Sequence, residues 1–232
     1  MEIDRWKKGA FFLSMIGCIQ FVIMTFIAML TYSGGTRINP NSTGYSFFQN
    51  FFSDLGRTIS YSGEINMISF LVFLFSVSFT GVSFMAFFIV IPSFFQKTDI
   101  ERRLSFAVSI TGISSSVMFI GIAFTPDNVF SEMHDFFVFS AFSLAFIASI
   151  LLAYLTYYNE NFSFVFSLGY ITFIVLILVY GIIGLIFFDI YTMEGMFIRV
   201  TTQKIVVYYL MTCFFIQSYG NFKKYSSIFR NE

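Results

Sequence analysis

Between Asn50 and Asn66 the chain reads NFFSDLGRTISYSGEIN, and Asp54, Arg57, Glu64 and Asn66 fall together between two long apolar segments. Ionisable groups at a membrane boundary are costly to keep unless they pair, meet water or act, so this junction is the leading candidate site. Asp54-Leu55-Gly56-Arg57 offers a carboxylate, a flexible backbone position and a guanidinium within four residues. One helical turn would pair the two charges and make them an interfacial ion pair. As chemistry, Arg57 suits bidentate recognition of a phosphate or carboxylate, with Asp54 orienting it or acting as a base. Glu64, after Ser62-Gly63, is expected to begin the second helix, where a carboxylate favours the exposed amides of the first turn.

Two further clusters join this junction. Thr125-Pro126-Asp127-Asn128 has the composition of a tight turn, and Glu132-Met133-His134-Asp135 then places three titratable side chains at the start of the fourth helix. His134 is the single histidine, the one side chain there whose ordinary pKa near 6.5 suits proton exchange at neutral pH. In the last apolar run Arg199 and Gln203 lie one turn apart on one face, with Lys204 one position round. The two cations can snorkel to the interface, whereas Gln203 prefers a protein partner. Asp54 and Glu64 are therefore expected to face Arg199 and Gln203 across the outer end of the bundle. Asp54 and His134 are the catalytic candidates. Ser53, Gly56, Arg57, Glu64, Asn66, Asp127, Arg199, Gln203 and Lys204 are the binding candidates.

The elements that must position these residues are membrane helices. Of 232 residues, 57% are hydrophobic, and the mean hydropathy of +0.79 exceeds what a soluble domain needs. Six apolar runs of about 20 residues or more lie near 9–32, 63–91, 103–124, 134–157, 164–188 and 199–219, each long enough to cross a hydrocarbon core. Lipid supplies no hydrogen bonds, so helices are the economical reading. The predicted fold is all-α, a single transmembrane domain over 1–232 forming a six-helix bundle with a long outer loop at 33–62. The 37 phenylalanines suggest lipid-facing helix surface rather than the alternating wall of a β-barrel.

Orientation follows from the cations. Arg5, Lys7, Lys8, Lys97, Arg102, Arg103, Lys223, Lys224 and Arg230 fall in segments assigned to one side, nine of the 13 basic residues. By the positive-inside rule both termini are cytoplasmic and the Asp54 junction faces outward. Stripes of small residues mark packing faces: Ser62, Asn66, Ser69, Phe73, Ser76, Thr80 and Ser83 in the second helix, and Ser105, Ser109, Gly112, Ser116 and Ala123 in the third. Zero net charge leaves no electrostatic footprint for nucleic acid. Cys18 and Cys213 sit inside apolar runs, so neither a disulfide framework nor a metal site is expected, and no cofactor motif is present.

The segment Asn50-Phe-Phe-Ser53-Asp54-Leu55-Gly56-Arg57-Thr58, followed by Glu64, Asn66, the Thr-Pro-Asp turn and His134, resembles an uncharacterised prokaryotic family of six-helix membrane proteins. Its Ser-Asp-x-Gly element is also similar to the eukaryotic DRAM, Frag and Sfk group, some members of which are linked to lipid remodelling or membrane stress. Gly63-Glu64 stands where that group usually carries Pro-Glu. The resemblance implies a site built from Ser53, Asp54, Gly56, Arg57, Glu64, Asp127 and His134, without implying a reaction. The leading expectation is an integral protein of the cell membrane that binds or modifies a lipid headgroup, with membrane lipids as partners. A small-solute transporter and a non-catalytic scaffold, working with a membrane-protein partner or as a homo-oligomer, are the alternatives. Charges gathered at one end instead of the midplane disfavour transport.

Overall fold

The computed structural model describes residues 2–186 and 189–228. It is 77% helical, with six helices and no strand among the described residues. They are α1 (Glu2–Leu30), α2 (Met67–Val90), α3 (Asp99–Phe124), α4 (Ser131–Tyr158), α5 (Phe164–Ile186) and α6 (Met193–Ile228). The first five are long and apolar enough to cross a membrane. In α6 the apolar stretch is bracketed by Arg199, Gln203 and Lys204 at one end and by Gln217, Asn221, Lys223 and Lys224 at the other.

Each helix packs on its neighbours in sequence, and α6 closes the ring against α1. The aromatic ring of Phe222 lies 6.0 Å from that of Phe12, and Lys8 stands over it, so the end of α6 meets the beginning of α1. At the opposite end Gln203 bonds Phe52, whose ring packs on Phe21 of α1. The two helices are thus antiparallel over the same span, which puts the first and last turns of the bundle on one side. That end also carries Lys97, Arg102 and Arg103, and it is the one the positive-inside rule assigns to the cytoplasm. Arg230, counted with these cations, lies outside the described residues.

Two helix boundaries differ from expectation for identifiable reasons. Helix α2 begins at Met67 rather than near 63, because residues 58–66 close a small hairpin first. Ser60 N–H donates to Glu64 O, Asn66 N–H donates to Thr58 O, and Gly63 turns at φ +85°. Glu64 consequently lies exposed in that hairpin, not in the first helical turn. Helix α6 runs 36 residues, well beyond 199–219, since the polar residues at both ends continue the helix. At α3 a capping box sets the start: Thr98 Oγ1 accepts from the Glu101 amide while Glu101 reaches back to the Thr98 amide.

The small-residue stripes are the packing faces. Ser69, Ser76, Ser83, Ser105, Ser116 and Ala123 are all buried. Ser14 Oγ donates to Ser83 O at 2.9 Å, joining α1 to α2. Gln20 does the same one level outward, donating to Ser76 O and Thr80 Oγ1 at 2.9 and 2.7 Å. Ser109 Oγ reaches Phe88 O across α2 and α3, and Ser115 Oγ reaches Ala141 O across α3 and α4. Where hydroxyls stop, aromatic rings fill the ring of helices. Phe214 of α6 stacks on Phe84 at 4.1 Å and meets Phe87 and Phe88 edge-on, and Phe11 closes on Phe87. Phe11, Phe87, Phe95 and Phe173 are almost wholly enclosed, so the phenylalanine excess builds the core as well as the lipid-facing surface.

Gly112 illustrates how close this packing is, since a Cβ there would overlap the Phe88 ring. Phe88 is held in turn by Phe87 and Phe214 and has little room to yield. Gly112→Ala should destabilise the bundle by about 1–3 kcal/mol, the range for overpacking a filled core. Thermal unfolding of the detergent-purified variant reads this directly. An unchanged midpoint would mean that α2 and α3 are not seated as described.

Candidate functional site

Residues 31–66 fold over the end of the ring opposite the start of α1 and the end of α6 as a cap, with one 3-10 turn at Ser53–Gly56 as its floor. Close backbone contact holds its folds together. Gly35, at φ +82°, lies so near Tyr61 and Ser62 that any Cβ would collide with them, and Ser62 N–H donates to Gly34 O.

The cap is fastened mainly by carboxamides. Asn50 is fully enclosed: its Oδ1 accepts from Ser46 N–H, and its Nδ2 donates to Gly35 O and to Asp54 Oδ2. Asn66 Oδ1 accepts from Ser33 N–H, while its Nδ2 donates to Leu55 O and Arg57 O, joining three parts of the cap at the start of α2. Asn128 accepts from Thr58 N–H and donates to Thr58 Oγ1, tying the α3–α4 turn to the same floor. Gln203 of α6 accepts from Phe52 N–H at 3.1 Å. Each amide presents a donor and an acceptor at once, which is what an irregular backbone over lipid requires.

The charged residues sit within this frame. Arg57 Nη1 donates to Asp127 Oδ2 at 2.7 Å and its Nε donates to Ile59 O, and the guanidinium lies 4.0 Å from the centre of the Tyr61 ring. Arg37 approaches the same carboxylate at 4.0 Å and also faces Tyr61 and Tyr191. Asp54 Oδ2 accepts from Phe51 N–H at 2.8 Å and from Asn50. Burial raises the Asp54 carboxyl above the usual carboxylate range, against the lowering effect of those hydrogen bonds and of Arg57 and Arg37. Burial together with Asp54 likewise pushes the Tyr61 hydroxyl up to about 12. Lys204, only 2% exposed, donates to Asn50 O and lies among the rings of Tyr45, Phe47 and Phe52 at 5.0–5.4 Å. Asn50 therefore connects Lys204 with Asp54.

The expected meeting of Asp54 and Glu64 with Arg199 and Gln203 takes a different form. Gln203 does reach the floor, but through the backbone of Phe52. Arg199 turns to Tyr180 of α5, its hydrogen-bond partner, and Glu64 makes no ion pair among the described contacts. Asp127 is the partner Arg57 finds. His134 is buried on α4; its Nδ1 lies 2.7 Å from Thr125 O, and its Nε2 has no partner among the described residues. Ser53 and Gly56 belong to the 3-10 turn, with Gly56 pressed against the Phe73 ring. Asp54 and His134 share no contact among those described, and each has its own partners, Asn50 and Phe51 for the first and Thr125 for the second.

Beneath the floor lies a partly open central cavity of about 70 Å³. Phe21, Phe73, Phe119, Phe142, Val207 and Met211 supply much of its wall. Ser53 and Gln203 line it from the cap side, and no lining residue carries a charge. Sequence reading missed this cavity along with Asn50, Asn128 and Tyr61. Only the clustering of amides beside the Ser53-to-Arg57 motif hinted at the fastening role. No family model, curated protein or solved structure matches the chain.

Two outcomes follow from these contacts. The Arg57–Asp127 pair is largely shielded, with side chains 14% and 18% exposed. A double-mutant cycle on Arg57→Gln and Asp127→Asn should give a coupling of about 1 kcal/mol in thermal stability, above that of a fully exposed pair. Strict additivity would show that the cap is not clamped there. For Asp54 the folded protein favours the neutral carboxyl, so its contribution to stability is full below the ordinary value of 3.8 and declines as pH rises through the raised one. Asp54→Asn should flatten the fall in melting temperature from pH 4 upward. A variant with the same pH profile as the unmodified protein would refute the burial.

Proposed function

We propose that this integral membrane protein binds a membrane lipid, with part of an apolar chain in the central cavity and the polar part against the underside of the outer cap. The supporting observation is the cavity itself: an uncharged, phenylalanine-rich chamber that meets polar groups only at Ser53 and Gln203 on its cap side and at Thr80 on α2. Aromatic walls with a few placed polar groups are the usual composition of small-molecule sites, and about 70 Å³ admits part of one apolar chain. Thr80 is already engaged with Ser76 O and Gln20, which leaves the cap side as the polar end.

In this reading the cations do not grasp a headgroup directly. Arg57 bonds Asp127 and Lys204 bonds Asn50, which hold the cap over the chamber, while Arg199 bonds Tyr180 and joins α6 to α5. The first outer loop acts as the ceiling of the site, against which the polar part of the ligand rests.

Native mass spectrometry of detergent-purified protein tests the proposal against a variant that fills the chamber. Val138 lines the cavity from α4, and Val138→Trp should occupy it. The unmodified protein should retain a lipid-sized mass that the variant loses, while circular dichroism stays the same and the melting temperature is kept or raised. Retention of the same adduct by a folded Val138→Trp protein would place the lipid elsewhere and end the proposal.

A further inference from the structure

The seam between α1 and α6 is shut at both ends by aromatic rings. Phe12 meets Phe222 where α1 begins and α6 ends, and Phe21, Phe52 and Tyr208 close it beneath the cap. Between those closures the two helices part around a groove of about 380 Å³, within the size range of small-molecule sites. Buried Cys18 and Met211 form its base, and Ile19 and Ile23 of α1 and Thr212 and Phe215 of α6 form its sides. We infer that this groove holds an acyl chain of an anionic phospholipid whose phosphate rests between Lys8 and Lys223.

Helical spacing carries both sides of the groove toward the same pair of cations. On α1, Ile23, Ile19, Ile16, Phe12 and Lys8 follow one another at intervals of three or four, and the four apolar members are exposed. On α6, Thr212, Phe215, Tyr219 and Lys223 do the same. The Tyr219 ring lies parallel to that of Phe215 at 6.5 Å, and Lys223 stands over Tyr219. Lys8 reaches across the seam to stand 4.9 Å from the centre of the Phe222 ring. From Ile19 to Lys8 the helix rises about 16 Å, close to half of the ~30 Å hydrocarbon core. The groove therefore lies near the middle of the membrane and the lysines near its surface, which is the span of a lipid in one leaflet.

Charge selects the headgroup. Arg5, Lys7, Lys8, Lys223 and Lys224 belong to the stretches that meet at this end, against Glu2 and Asp4 in the same stretches. Among the described contacts neither Lys8 nor Lys223 meets a carboxylate, and each stands over the face of a ring instead. A phosphodiester supplies the anion, while the lysine stems extend the apolar surface of the groove toward the interface. A zwitterionic lipid brings its own cation beside the phosphate, so a headgroup with net negative charge is favoured. The connection at 159–163, between α4 and α5, carries no cation and provides the contrast.

Quenching of a single tryptophan by dibrominated phospholipids in reconstituted bilayers tests this. With Trp6→Phe removing the one native tryptophan, Ile16→Trp puts a reporter on the α1 stripe between groove and lysines, and Leu168→Trp puts a control on α5 near the uncharged connection. Both positions are exposed and accommodate the larger ring. At position 16 dibrominated phosphatidylglycerol should bind about fivefold tighter than dibrominated phosphatidylcholine, the worth of one lysine near a membrane surface, and at position 168 the two should bind alike. Replacing both lysines, Lys8→Gln with Lys223→Gln, should bring the ratio at position 16 close to one, and so should Thr212→Phe, which fills the groove and leaves the charges in place. The same preference at positions 16 and 168 would mean a diffuse attraction to the basic end, and a full preference in the Thr212→Phe protein would mean that the groove takes no part. Either result overturns the assignment. None of these positions lines the central cavity, so lipid on the seam and lipid in the cavity stand or fall separately.

Discussion

Hydrocarbon cannot hydrogen-bond a peptide group, and this constraint governs the capped end of the protein more than its helices. The helices satisfy their own backbones, but residues 31–66 form an irregular cover directly over an apolar chamber, and each buried donor and acceptor there needs a local partner. The answer is a set of carboxamides placed where chain segments converge. Asn50 binds the backbone at 46, 35 and, through Lys204, α6; Asn66 binds 33, 55 and 57; Asn128 binds 58; Gln203 binds 52. Charged groups could not do this alone, since each offers only donors or only acceptors when ionised.

With the floor fixed in this way, the charged residues take up secondary positions whose logic is geometric. Arg57 and Arg37 converge on one carboxylate from two parts of the cap, so Asp127 joins the α3–α4 turn to both. Tyr61 lies beneath the two guanidinium groups, and its ring face complements their charge. Lys204 buries its ammonium among three aromatic rings with one carbonyl oxygen as acceptor, an arrangement that holds α6 against the cap without a carboxylate in direct contact.

The helical class and the position of the polar junction were legible in the sequence because both depend on local composition. An apolar run of about 20 residues has few alternatives to a helix, and the small-residue stripes at helical spacing do line the interfaces, as Ser14–Ser83 and Ser115–Ala141 show. Pairing was much less legible. Arg57 could have met Asp54, three residues away, but finds Asp127, 70 residues away, because the 3-10 turn directs Asp54 inward to Asn50. Arg199 was grouped with Gln203 by helical phase, yet the two side chains diverge to α5 and the cap. The chamber left no sequence signature, since a phenylalanine facing a void is indistinguishable in sequence from one facing a neighbour. Glu64 shows the complementary error, a helix-start signal overridden by a hairpin that uses its carbonyl instead of its carboxylate.

The closure of the ring between α1 and α6 has a consequence for how the protein is made. The cap emerges from the ribosome early, yet the bonds that seat its floor on the bundle reach forward by 151 residues to Gln203 and 154 to Lys204. Until α6 has entered the membrane, the Asn50 carbonyl lacks one of its partners, the Phe52 amide is unanswered, and α1 presents its Phe12 flank without the ring of Phe222. Insertion of the last helix is thus the step that turns a row of five helices into a closed ring.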